Sequence, residues 1–167
     1  HFFQTAAGAA LPAAGAGAGI REPAREIPVV EEDDVIVCGG GPAGSVAAIA
    51  AARAGARTRL IESQGVIGGV WTAGLLTEFS DTRNKKGIVR EVLAELEKRG
   101  GFAAGDYGTF DPEIMKHVLE RMCREAGGKV RLHTLVAGAA QHSGNRLTHA
   151  VTESKSGREA WAAKCFI

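Results

Sequence analysis

The sequence predicts an α/β fold: a parallel strand–helix–strand unit, then helices, then an antiparallel β-meander. Three observations carry this. The apolar run Asp33 to Cys38 leads into the glycine cluster Gly39-Gly40-Gly41-Pro42-Ala43-Gly44 and an alanine-rich stretch. A second apolar run, Thr58 to Ile61, stops at an acid, Glu62. Strand, helix and strand within about 30 residues make a right-handed parallel crossover. Further on, short apolar runs are separated by the glycine-containing turns HSGNR and SKSGRE, the pattern of antiparallel strands.

The elements follow in order. Residues 1–20, HFFQTAAGAALPAAGAGAGI, are rich in Ala and Gly and end in small-x-small triplets such as Ala14-Gly15-Ala16. They are expected to be an export-signal remnant. HFFQ resembles the tail of a twin-arginine signal, with the two arginines falling before His1. An exported, periplasmic or other extracytoplasmic location is therefore expected, with a cytoplasmic one as the alternative. Residues 21–32, with two prolines and many charges, read as a linker. Asp33 to Cys38 is a strand. Pro42 to Ala54 is a helix, because proline suits the first helical position, alanine favours the interior and Gly55 ends it. Thr58 to Ile61 is the second strand.

Gln64 to Lys86 carries glycines and reads as irregular. Ile88 to Lys98 places Ile88, Val89, Val92, Leu93 and Leu96 on one helical stripe. In FDPEIMKHVLERMCREAGG, Asp111 is the N-cap, Pro112 takes the first helical position and Gly127 or Gly128 closes the helix. Lys129 to Leu135 is a strand. Three short strands follow, near 136–141, 147–152 and 160–167. The last run stops within a strand pattern, so a domain spanning residues 33–167 is expected to be truncated at its C-terminus.

Composition narrows the function. The 167 residues carry 20 basic and 19 acidic side chains, a net charge of +1. Such a balance offers no electrostatic footprint for nucleic acid. No run of about 18 apolar residues exists to span a membrane. Cys38, Cys123 and Cys165 lack metal-ligand or Cys-x-x-Cys spacing and read as small hydrophobes, so no metal site is expected. A small-molecule substrate is the expected partner, and the sequence sets no oligomeric state.

The glycine cluster is G-x-G-x-x-G, with a strand before it, a helix after it and an acid at the end of the next strand. Gly39 permits the tight turn. Gly41 lets backbone approach a pyrophosphate, and Gly44 lets helix pack on strand. The helix N-terminus offers amides and partial positive charge to phosphates. Glu62, 18 residues past Gly44, stands where an acid binds ribose hydroxyls. These residues read as a dinucleotide site without choosing NAD or FAD. A second glycine pair, Gly68-Gly69, supplies the extra backbone that a flavoprotein needs along the pyrophosphate.

The pieces DVIVCGGGPAGSVAAIAAARAG, LIESQGVIGGVWTAGLL, KGIVREVLAEL, FDPEIMKHVLERMCREAG, HTLVAGA and SGREAWAAKCFI together resemble the N-terminal part of the FAD-dependent oxidoreductases related to glutathione-reductase-type flavoproteins. The resemblance implies a Rossmann-like FAD-binding core. It implies that Gly39, Gly40, Gly41, Pro42, Ala43 and Gly44 hold the FAD pyrophosphate. Glu62, with Ser63 beside it, would bind the adenosine ribose. Gly68, Gly69 and Thr72 would lie along the cofactor, and Val136 would touch adenine through its backbone.

The implied activity is transfer of a hydride or electron pair from an organic substrate to flavin. After Gly69 there is no cysteine pair, so no dithiol relay is expected. The family's Ala-Thr-Gly flavin segment would begin just past Ile167. Two other readings use the same residues: an NAD-dependent dehydrogenase, in which Glu62 would repel a 2′-phosphate, and a cofactor-binding fragment without activity. No catalytic residue is assigned. His117, His133, His142 and His149 show no ligand spacing, and Ser45 and Ser63 have no base partner. Trp71, Asp81 and Arg83 fall where a flavin ring or substrate would lie, but surface-loop roles suit them as well.

Overall fold

Strand β1 (Val29–Cys38) sits at the centre of a mixed six-stranded sheet, with parallel neighbours on both sides. The computed structural model of the chain describes residues 24–80, 85–103, 107–142, 144 and 146–167. The residues expected to form an export signal, together with Asp81 and Arg83, lie outside them. β1 begins four residues before the expected start, so Val29–Glu32 belongs to the strand and not to a linker. The reason is a pairing partner far along the chain: Val29, Glu31 and Glu32 lie beside Ala160, Trp161 and Ala162.

Helix α1 (Pro42–Arg53) and strand β2 (Thr58–Ile61) complete the crossover, with β2 parallel to β1 in the register Val35 to Thr58 and Cys38 to Ile61. All four β2 residues are buried, as expected of a parallel strand covered on both faces. Gly55 follows α1 at φ +88 and turns the chain into β2. Beyond it the chain makes a short 3-10 turn (Gly69–Trp71) and strand β3 (Glu78–Ser80), where an irregular stretch was expected. Helix α2 (Ile88–Lys98) falls where its apolar stripe places it.

Strands β4 (Phe102–Ala103) and β5 (Tyr107–Phe110) join β3 in a small antiparallel sheet that was not foreseen. Phe79 is the link: its ring lies 5.0 Å from both Trp71 and Phe110, in tilted aromatic contacts. Helix α3 (Pro112–Glu125) is capped by Asp111, whose side chain accepts from the amides of Glu113 and Ile114.

The expected strand Lys129 to Leu135 is two strands. β6 (Lys129–Arg131) pairs parallel with β2 at one edge of the sheet. β7 (Thr134–His142) lies at the other edge, antiparallel to β8 (Arg146–Ser154). β9 (Gly157–Phe166) pairs antiparallel with β8 and parallel with β1. The order is therefore β6-β2-β1-β9-β8-β7. The meander is continuous with the parallel strands, and β9, which falls where the last strand was expected, is an interior strand hydrogen-bonded on both edges.

Each sheet face has its own core. On one face, Val37 and Leu60 pack with Ala48 and Ile49 of α1, Leu93 of α2, and Met115 and Leu119 of α3. On the other, Ile36 and Ile61 meet Ala150 and Trp161. Beside Trp161 lies a charged cluster. Arg59 is 6% exposed, pairs with Asp33 at 2.7 Å and with Glu31, and stacks 4.6 Å from the Trp161 ring centroid. Trp161 Nε1–H donates to Thr152 Oγ1 at 2.9 Å. A guanidinium is tolerated in such a place because it is paired and stacked at once.

At the surface, Asp34 accepts from the Arg57 side chain at 3.0 Å and from Lys164 Nζ at 2.7 Å, which joins β1 to β9. The Arg57 guanidinium first, and Lys164 after it, hold the Asp34 carboxyl far below its ordinary value of 3.8. A depressed carboxyl adds stability above its unfolded pKa and loses it as pH falls toward the folded one. The stability gap between the native protein and Asp34→Asn should therefore be full at neutral pH and close progressively below pH 3.8. Urea titrations at a series of pH values check this, and a gap independent of pH would refute it.

Candidate functional site

The four glycines after β1 have four different local reasons. Gly39 has φ +113, and its N–H donates to Ile61 O at 2.8 Å, which turns the chain off the sheet. Gly40 N–H donates to Glu62 Oε2 at 2.6 Å. A Cβ on Gly40 would stand 3.0 Å from that oxygen and 3.1 Å from Ile67 Cγ2. Gly44 lets α1 seat on the strand, because a Cβ there would lie 1.9 Å from Gly39 O. Gly41 differs: its φ of −63° suits any residue, and a Cβ would meet nothing within 4 Å. Among the described residues nothing requires glycine at 41, and the space in front of it is open.

Gly41 is also the N-cap of α1, with no side-chain hydrogen bond to the first turn. Pro42 has no N–H, so the turn's remaining amides, including those of Ala43 and Gly44, are left without a side-chain cap. Such a terminus is where an anion is favoured. Ser45, given no role from the sequence, is buried and fixes the loop: its Oγ–H donates to Gly40 O at 2.9 Å.

Glu62 is 7% exposed. Its Oε2 accepts from Gly40 N, and its Oε1 accepts from Ser63 Oγ at 3.0 Å and from Gln64 N at 2.7 Å. A carboxylate offers about four acceptor positions. Three are filled here, which leaves one for a ligand hydroxyl. Its backbone is held as well: its N–H donates to Arg131 O at 2.8 Å, and its carbonyl accepts from Thr134 N at 2.9 Å.

The second glycine pair folds back on the first. Gly68 N–H donates to Gly40 O at 2.6 Å. Gly69, at φ +52, lies so close that a Cβ would stand 2.9 Å from Gly41 Cα. Thr72 is fully buried, and its Oγ1–H donates to Ile67 O at 2.8 Å. Its hydroxyl proton thus goes to the protein, and Thr72 supports the Gly68-Gly69 turn. Ser63 likewise directs its proton to Glu62.

Val136 is half-buried on β7 and packs its side chain against the Ile36, Ile61, Ala150 and Trp161 core, where the pairing with β8 shifts register. The structure thus brings Gly39 to Gly44, Glu62, Ser63, Gly68 and Gly69 together, with Thr72 beneath them, and sets Val136 on the neighbouring strand. Trp71 packs against the first core. Burial pushes the Cys123 thiol up, as suits a core residue. Among the described residues, no three His, Cys, Asp or Glu side chains are grouped to hold a metal ion, and no helix is long and apolar enough to cross a membrane.

Fold and cradle together define a dinucleotide-binding domain of the parallel-sheet type. Residues 34–167 match the family model described as FAD dependent oxidoreductase. The chain belongs to that family, and its cofactor is FAD. Ferredoxin–NADP reductase 1 of Bacillus licheniformis is 30% identical over 115 residues, 63% of this chain and 29% of that protein. Leghemoglobin reductase of Glycine max is 56% identical over 39 residues, 23% of this chain and 8% of the relative. Among solved structures, a geranylgeranyl bacteriochlorophyll reductase-like protein of Thermoplasma acidophilum superposes with a TM-score of 0.61 at 24% identity, over 81% of this chain and 38% of that one. A flavocytochrome c3 fumarate reductase gives 0.59 at 18% identity, over 83% and 33%. The chain therefore spans about a third or less of the curated relatives it matches, and the structural likenesses speak for the fold.

The second and third glycines of the G-x-G-x-x-G motif, Gly41 and Gly44, should respond oppositely to substitution. Gly44→Ala forces a backbone collision and should cost about 3 kcal/mol or more. Gly41→Val meets open space and should leave the thermal midpoint of the ligand-free protein within a few degrees, while abolishing FAD retention. Thermal melts beside flavin-to-protein ratios separate the two effects. Retention of FAD by Gly41→Val would sink the placement of the pyrophosphate.

Proposed function

We propose that this chain is the FAD-holding part of an oxidoreductase that takes a hydride or electron pair from a small organic substrate. The observation that carries the reading is the Gly40 N–H bond to Glu62 Oε2 beside the open face of Gly41. The two glycine segments leave a backbone-walled approach, and the helix α1 terminus behind it carries the positive end of the dipole. Ribose hydroxyls would donate to the remaining acceptor position of Glu62. The pyrophosphate would lie over Gly41 and the first turn of α1. Gly68 and Gly69 would flank it from the other side.

FAD, when bound, supplies the redox chemistry, and the protein contributes binding, orientation and electrostatics. The fold-back of Gly68-Gly69 onto Gly40-Gly41 favours FAD over NAD, because it adds a backbone wall that a direct run into the next helix would lack. The absence of a cysteine pair after Gly69 supports direct exchange between substrate and flavin. The proposal includes export, supported by the Ala-rich stretch of residues 1–20 and its small-x-small triplets; fractionation of producing cells checks it.

Purified protein should carry a flavin absorption spectrum, released on denaturation as FAD. Glu62→Gln should weaken FAD binding by about tenfold or more, since a buried carboxylate with several donors is replaced by a group of different polarity. Equilibrium dialysis measures it. Colourless protein that binds NADH tightly would overturn the flavin assignment in favour of a nicotinamide dehydrogenase.

A further inference from the structure

The connection between β6 and β7 is only two residues, Leu132 and His133. It carries the chain from one edge strand of the six-stranded sheet toward the other, past the end of β2. His133 adopts φ +52; among described non-glycine residues, only Leu75 shares that region. The left-handed region is strained for a residue with a Cβ, and such outliers concentrate at functional sites. Glycine would make this turn without strain. Histidine is among the few side chains that enter this region at modest cost, and what it adds over glycine is its ring.

The ring lies on Gly65. A Cβ at Gly65 would stand 2.9 Å from His133 Cε1 and 3.2 Å from Nε2. The backbone around it holds the same segment: His133 N–H donates to Gln64 O at 3.0 Å, and Thr134 N–H donates to Glu62 O at 2.9 Å. Residues 62, 64 and 65 are thus gripped from one short connection. That segment supplies both donors to Glu62 Oε1, Ser63 Oγ and Gln64 N. Ser63, Gln64, Gly65 and His133 are all exposed, so packing from other elements does not fix them.

We propose that His133 is a positioning residue for the adenosine half of the cofactor. Its imidazole, seated on Gly65, holds the 62–65 segment so that Glu62 presents its remaining acceptor position to the ribose. This rests on the ribose assignment of Glu62 above. Gly65 is then glycine because a side chain there would displace the ring.

The test uses the purified protein, with FAD and ADP as separate probes, and His133→Gly, His133→Asn and Gly65→Ala as variants. His133→Gly keeps the turn and removes the ring. It should melt no lower than the native protein when ligand-free, yet bind both FAD and ADP about tenfold more weakly, the scale of one lost ordering contact. His133→Asn tolerates the left-handed backbone but lacks the outer ring atoms that reach Gly65, so it should bind both ligands as weakly as His133→Gly. Gly65→Ala should weaken both ligands similarly, and adding it to His133→Gly should cause no further loss.

Native affinity for FAD and ADP in His133→Gly overturns the inference, and so does a loss matched by a lower ligand-free melting point or additive losses in the double variant. Native protein that binds neither FAD nor ADP overturns the Glu62 reading itself, and this inference with it.

Discussion

One hydrogen bond ties the two halves of the parallel crossover at the point where they must hold a ligand. Gly40 N–H donates to Glu62 Oε2 at 2.6 Å. Gly40 belongs to the turn leaving β1, and Glu62 ends β2. Parallel strands have no hairpin to align their ends, and here a side chain does that work. The carboxylate is nearly out of water and is stable there because its oxygens have donors. Helix α1 through Ser45, the second glycine pair through Gly68, and the strands β6 and β7 through Arg131 and Thr134 each bond to one of these two residues.

The rest of the fold keeps that bond in register. The small residues of α1 let the helix lie flat on β1 and β2, and α2 and α3 bury their apolar stripes against the same face. The opposite face is closed by the meander, whose Trp161 lies under the Arg59 guanidinium. Both faces of β1 and β2 are thereby covered, so the strand ends that carry Gly39 and Glu62 have little freedom to shift.

Much of this was readable in the residues, because periodicity and turn chemistry are local. Pro42, Asp111 and Gly55 mark helix ends by rules acting over a single turn, and α2 has the bounds its stripe implies. Gly39 turns the chain and Gly44 seats the helix, as their spacing assigns. What escaped the sequence was non-local. Nothing in VVEE says strand until Ala160 to Ala162 are beside it. Lys129 to Leu135 is apolar enough for one strand, and only the left-handed turn at His133 divides it. Arg59 reads as a surface charge until Asp33 and Trp161 surround it. Gly40 showed no reason to be glycine because its neighbours, Glu62 and Ile67, come from another strand and another loop.

The double pairing of β9 has a consequence for how the molecule comes to be. β1 is made early, yet one of its two partners arrives some 130 residues later, as the Asp34–Lys164 contact measures. Until β9 has been made, a central strand must wait with one edge bare. Contacts so distant in sequence are slow to close, and bare strand edges invite wrong partners. Glu31, Glu32, Asp33 and Asp34 lie along that waiting strand. Their four negative charges would repel another copy of the same edge until Lys164 and its neighbours dock.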